Sequence, residues 1–243
     1  MITRRDCQKA FRELGLTDYS SVIVHYHPLL REILGQSATF IQALFDVVTE
    51  GNVLAFSEFS DNSEPYRMGF DSLDEAEKVR QELLNFDTKR FRDTYYDPLF
   101  LALSKTQGRI FSNHPYIVSC VNGPQSRYIA RVQPLDFPYG EESVFGAMSE
   151  LKAKILVIGD DMSDCHELRL GYHHQNAAIQ LNGAAGGQGW EHYFDYQYDK
   201  MDYQKAISRV HLKGHVMLGN QKMHLIDYNE ALRHMDDLAK DSL

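Results

Sequence analysis

KILVIGDD, residues 154–161, is a lysine and four core-seeking residues closed by a glycine and two carboxylates. An apolar run this short, bounded by turn residues, reads as a strand buried on both faces, the kind found in parallel sheets. Ser21-Val-Ile-Val24 and Asn52-Val-Leu-Ala-Phe56 are runs of the same kind, and residues 116–121 form another behind the polar turn Ser112-Asn-His-Pro115. Between them lie stretches with helical spacing. Cys7, Ala10, Phe11 and Leu14 make one apolar stripe, and Phe40, Ile41, Leu44, Phe45 and Val48 make a second after the Gly35 loop. Further helices are predicted over 75–84, from 99 to 103, over 124–131 and over 227–240, with a short strand at Val216-Met-Leu218. Strands separated by helices predict an α/β fold with a largely parallel sheet covered on both faces. Residues 57–74 are polar and aperiodic and are expected to form a long loop or lid.

The chain has 243 residues and no low-complexity linker, which predicts one domain spanning 1–243. Its net charge of −9 repels phosphate backbones and argues against nucleic acid as a partner, while it favours cations such as amines. No run reaches the roughly 20 apolar residues of a membrane span. Cys7, Cys120 and Cys165 are odd in number and widely spaced, which suits a reducing cytoplasm.

Several motifs follow one another in a familiar order. Val22-Ile-Val-His25, the Gly35 loop, Glu50-Gly-Asn-Val-Leu54, Ser112-Asn-His-Pro115 and Leu135-Asp-Phe-Pro-Tyr-Gly-Glu-Glu-Ser143 lead into Lys154–Gly159. This order resembles the aminoglycoside 3-N-acetyltransferase family over nearly the whole chain. The resemblance implies a three-layer α/β/α sandwich around a mixed, largely parallel sheet. It also implies acetyl-CoA as acyl donor and a small-molecule amine, on an amino sugar or aminoglycoside, as acceptor. A cytoplasmic antibiotic-resistance or biosynthetic acyltransferase follows, and a homodimer is compatible with it. The alternative is a non-catalytic relic of the fold that binds a ligand or a protein partner. Coenzyme A is expected along His25, Tyr26, His27, Gly35, Gln36 and Ser37 and near Ser112 and His114. The family's first loop carries two hydroxyl residues where Tyr26 and His27 stand, and its second carries paired glycines where Gly35 and Gln36 stand.

The family's helix after the strand ending at Gly159 bears a threonine, a histidine and, three residues on, a glutamate. Without a gap, Arg169 takes the histidine position and Tyr172 the glutamate position. With a one-residue deletion His166 takes the histidine position. Acyl transfer from a thioester to an amine requires a base for the amine proton, and a histidine with a pKa of about 6.5 serves at neutral pH. His166 is therefore the expected base. Glu167 is its neighbour and points elsewhere. A distant carboxylate is expected behind it, Asp195 or Asp199, with Asp195 taken as partner and Asp160 and Asp161 as further candidates. His114, fixed by Pro115, is expected to position the loop rather than move protons. The acceptor is expected at Glu58, Asp61, Glu64, Asp160 and Asp161, with Asp71 and Asp74 also on the lid. His25-x-His27, His173-His174 and His211-x₃-His215 lack a metal-ligand framework, and no metal is expected.

Overall fold

The computed structural model describes residues 1–58, 63–70, 72–82, 97–131, 133–173, 177–186, 189–212 and 214–241. Ten strands are present among them: β1 Ser21–Val24, β2 Asn52–Glu58, β3 Ser63–Phe70, β4 Ile110–Asn113, β5 Ile117–Asn122, β6 Lys154–Ile158, β7 Ile179–Gly186, β8 Gly189–Tyr196, β9 Val216–Leu218 and β10 Gln221–Asp227. The main sheet has the order β4-β5-β2-β1-β6-β10-β9. Its centre, β2-β1-β6, is parallel, and both flanks pair antiparallel. Followed across the sheet, these pairings leave β4, β2, β1, β6 and β9 running one way and only β5 and β10 the other. The expected sandwich around a mixed, largely parallel sheet is therefore the observed one.

Alternation along the central strands divides the core into two layers. Ile23, Leu54, Ile155 and Val157 face one side, and Val22, Val24, Val53, Ala55, Leu156 and Ile158 the other. Helices α1 (Arg4–Glu13) and α2 (Gln36–Phe45) cover the second face through Cys7, Phe11, Phe40 and Leu44. Helix α3 (Leu73–Glu82) packs on the smaller sheet, and α4 (Pro98–Leu103) joins α2 through Leu99 and Leu103. The first face is covered by α6 (Val144–Glu150), α8 (Lys200–Arg209) and α9 (Tyr228–Asp241), with the short α5 (Ser126–Ile129) and α7 (Leu170–His173) filling gaps. No described helix is long and apolar enough to cross a membrane.

The structure departs from the sequence reading in three places. Within 57–74, the described residues hold two strands rather than a simple lid. β2 continues to Glu58, and β3 pairs with β7 in a second, three-stranded sheet, β3-β7-β8. Polar strands whose partners lie more than a hundred residues away leave little local signal. The Ser112-Asn-His-Pro115 turn belongs to a hairpin, because β4 precedes it and pairs with β5. β10 lies between β6 and β9 and was not predicted.

The Glu50-Gly-Asn52 motif has a steric explanation. A Cβ on Gly51 would lie 1.9 Å from the Ser20 carbonyl oxygen. The Asn52 side chain next to it is buried and bonds Ser21 and both the backbone and side chain of Gln125, tying β1 and β2 to the start of α5. Gly51→Ala is expected to destabilise the protein by about 1–3 kcal/mol, the usual penalty of overpacking. Urea unfolding measures this, and an unchanged midpoint would show that the Ser20 backbone moves freely.

Candidate active site

The parallel strands β1, β2 and β6 end on the same edge of the sheet, and ligand crevices in such folds open at the carboxyl ends of the strands. His25 follows β1, Glu58 ends β2, and a loop after β6 leads to the 3₁₀ turn His166–Arg169. A cavity of about 260 Å³ opens there, lined by His25, Tyr26, Glu58, Asp97, Asp164 and His166 among others.

Glu58 is the centre of this edge. Its Oε2 accepts from His166 Nδ1 at 2.7 Å and from the Tyr116 hydroxyl at 3.0 Å. Its Oε1 accepts from the Tyr139 hydroxyl, and Arg169 lies 3.8 Å away. Burial disfavours the charge, but His166 and Arg169 outweigh it and hold the carboxyl well below the usual carboxylate range. With Nδ1 committed to Glu58, the other ring nitrogen of His166, Nε2, is buried and has no hydrogen-bond partner among the described residues; Asp164 comes no closer than 4.0 Å.

A second histidine–carboxylate pair stands beside the first. His25 Nε2 donates to Glu167 Oε1 at 2.9 Å. Glu167 is completely buried, and His25 is 15% exposed at the cavity. Burial works against a charged His25, yet the Glu167 carboxylate prevails and the ring's pKa is raised. Consecutive residues of one turn thus serve two pairs, His166 reaching to the end of β2 and Glu167 to the end of β1. Phe56 packs edge-on against His25 and also against Phe145, which stacks on Tyr139.

Arg169, at the ungapped position of the family histidine, is buried rather than solvated. Its guanidinium lies over the Tyr198 ring at 3.6 Å and the Tyr139 ring at 4.5 Å, and 3.5 Å from Asp195. This corrects the expected pairing of Asp195 with His166. The distant carboxylate behind His166 is Glu58, expected instead at the acceptor, and Asp195 belongs to Arg169. Asp199 caps α8 through the Met201 amide. Burial pushes the Asp195 carboxyl up to about 6.

The other expected positions fall out as follows. His27 caps the turn Pro28–Glu32 by accepting from the Leu29 amide, and the Tyr26 hydroxyl accepts from Arg31. Gly35 and Gln36 both have positive φ, 84° and 52°, so Gln36 holds a left-handed backbone that favours glycine, and Ser37 is buried at the start of α2. Ser112 is buried and donates to Gln133. His114 spends both nitrogens inside the chain, accepting from the Tyr116 amide and donating to the Leu135 carbonyl, and burial pulls its pKa down to about 4. It therefore has no ring nitrogen left for a cofactor, and its place is a strut between the hairpin and the Leu135–Ser143 loop. Asp160 pairs with Lys222 and His224, and Asp161 accepts from the Ser163 amide, so both are engaged locally at the surface. Asp61 and Asp71 lie outside the described residues, Glu64 sits in β3, and Asp74 is in the first turn of α3.

Sequence reasoning passed over Tyr116, Tyr139, Asp97 and the roles of Arg169 and Glu167. A signal for Tyr139 existed, since it is the tyrosine of the Pro138-Tyr-Gly140 motif. Among the described residues His25, Cys165 and Glu167 bring three potential metal-ligand atoms within 4.8 Å of one another. Two of them are already bonded to each other.

Two imidazoles, each backed by a carboxylate, beside a cavity at the carboxyl edge of an α/β/α sandwich define a site built to move protons. The profile of the aminoglycoside 3-N-acetyltransferase family matches residues 27–240, and the chain belongs to that family. It is 24% identical over 246 residues to the SPbeta prophage-derived aminoglycoside N(3')-acetyltransferase-like protein YokD of Bacillus subtilis strain 168, covering 95% of this chain and 89% of that protein. The crystal structure of YokD superposes with a TM-score of 0.76 at 21% identity, over 98% of each chain. AAC-IIIb, solved as a binary complex with CoASH, gives 0.74 at 19% identity over 99% and 97%, and AAC-VIa bound to sisomicin gives 0.74 at 19% over 99% and 98%.

The raised pKa of Asp195 has a definite sign. Folded Asp195 keeps its proton up to about pH 6, whereas an unfolded aspartate loses it near 3.9. This contribution to stability is complete below about pH 4 and is lost as pH climbs to about 6. The unfolding free energy of the wild type minus that of Asp195→Asn should fall by on the order of 3 kcal/mol between pH 4 and pH 7. Denaturant titrations at each pH measure it, and a difference constant across the range refutes the assignment.

Proposed function

We propose that the protein is a coenzyme A-dependent N-acyltransferase that moves an acetyl group from acetyl-CoA to an amine of an amino sugar, an aminoglycoside or a related small molecule. The observation that carries this reading is the His166–Glu58 pair. Glu58 orients the ring, and the opposite nitrogen has no hydrogen-bond partner among the described residues. The amine gives its proton to His166 Nε2 as its lone pair attacks the thioester carbonyl. Asp195 then acts through Arg169, which helps hold Glu58.

The segment from His25 to Ser37 and the hairpin held by Ser112 and His114 are the proposed cradle for coenzyme A. His25 and Tyr26 line the cavity. A cationic acceptor meets Glu58, Asp97 and Asp164 at the cavity. Family membership and neighbours solved with CoASH and with sisomicin support both ligand classes. Cytoplasmic placement and a homodimer fit such an enzyme. The alternative, a ligand-binding relic, draws on one observation: Arg169 occupies the ungapped histidine position and is locked among tyrosines.

A ligand that binds only the folded state raises its stability, so millimolar coenzyme A should raise the melting temperature. His166→Ala should keep that shift and lower kcat by about 10²–10⁴-fold, the usual worth of a general base. Thiol release measured against a panel of amines separates the readings. Binding without turnover in the wild type selects the relic, and undiminished kcat in His166→Ala removes His166 as the base.

A further inference from the structure

The two histidine–carboxylate pairs have different surroundings. Glu58 is compensated several times over, by Arg169 and by the hydroxyls of Tyr116 and Tyr139, besides His166. Arg169 and the two hydroxyls stay beside it whether or not His166 carries a proton. Glu167 is completely buried, and among the described residues its Oε2 has no hydrogen-bond partner and the one ion pair it makes is with His25. An uncompensated buried carboxylate costs several kcal/mol. His25 must therefore carry the balancing proton, although it lines the same cavity as His166.

We infer that His25 is the proton donor to the departing thiolate, so that acyl transfer is divided between a base, His166, and an acid, His25; this rests on the acyltransferase reading above. The bonds balance. The N–C bond forms as His166 Nε2 takes the amine proton. The tetrahedral intermediate collapses, the C–S bond breaks with its electron pair going to sulfur, and His25 gives sulfur a proton. Nε2 of His25 is held by Glu167, so the proton given is the one on Nδ1. Amide and free thiol leave, and the proton gained by His166 replaces the one lost by His25 through solvent. The charged and titratable groups around His25 are Glu167 and Cys165 behind it, Tyr26 beside it in the chain, Asp97 from the start of α4, and Glu58, Asp164 and His166 across the cavity. Glu167 is the positioning residue of this pair, and two groups in environments that separate their protonation states are the usual division of acid and base work.

The test varies the leaving group. An alkyl thiolate such as that of coenzyme A needs a proton as it leaves, whereas the acetyl thioester of an electron-poor aromatic thiol departs without one. His25→Asn should lower kcat/KM with acetyl-CoA by about 10²-fold and with the aryl thioester by no more than about threefold, while His166→Asn stays impaired with both. Because His25→Asn leaves Glu167 unbalanced, the double variant His25→Asn/Glu167→Gln removes both charges and should show the same dependence on the donor at near-native melting temperature. Equal losses with both donors, or no loss with either, would overturn the role of His25 while leaving the acyltransferase reading standing. Wild-type protein that acetylates no amine from either donor would overturn both.

Discussion

The carboxylate of Glu58 is the point at which four separate parts of the chain are fastened. It ends β2 and receives hydrogen bonds from Tyr116 of the β4–β5 hairpin, from Tyr139 of the Leu135–Ser143 loop and from His166 after β6. Hydrogen bonds to a charged group contribute about 1.5–3 kcal/mol each, and removing the charge from water costs several. The two nearly cancel, so the arrangement adds little to net stability. What it supplies is geometry: none of these loops can shift without leaving a buried charge unsatisfied. The orientation of the His166 ring is the result.

Arg169 extends the same logic. Two carboxylates, Glu58 and Asp195, need a cation in a space from which water is excluded, and a guanidinium can lie flat against aromatic faces while reaching both. The rings of Tyr139 and Tyr198 form that space. A lysine would carry the charge but not the planar contact. In the ungapped alignment this arginine replaces the family's histidine, and the 3₁₀ turn then offers His166 three residues earlier.

The central strands were readable from local sequence because each is a compact apolar run, and β1, β2 and β6 were found within two residues of their bounds. The Pro-Tyr-Gly motif and the Gly51 position carried the family. The second sheet was not readable, since β3, β7 and β8 mix polar, aromatic and glycine residues and draw their stability from one another. At the site, His166 and His25 stood out as histidines following core strands, and Glu58 was visible as a charge but assigned to the acceptor. Asp195 was drawn to His166 by family order alone. The partner of a buried histidine is set by strand adjacency, and only the order β2-β1-β6 reveals that Glu58 and Glu167 can reach rings on neighbouring loops.

That strand order also has a consequence for synthesis of the chain. β1 is flanked by β2, made about thirty residues later, and by β6, more than a hundred residues further on. At roughly 5–20 residues per second on a ribosome, β1 waits for its second neighbour for on the order of ten seconds. Through that interval one edge of a strand destined for full burial has no native partner, and such an edge is a template for pairing with other nascent chains. The covering of α1 and α2, both encoded before Asp46, leaves one face of β1 sheltered but not its edge. Yield of soluble protein should therefore depend on translation speed and chaperone supply more steeply than the stability of the finished fold suggests.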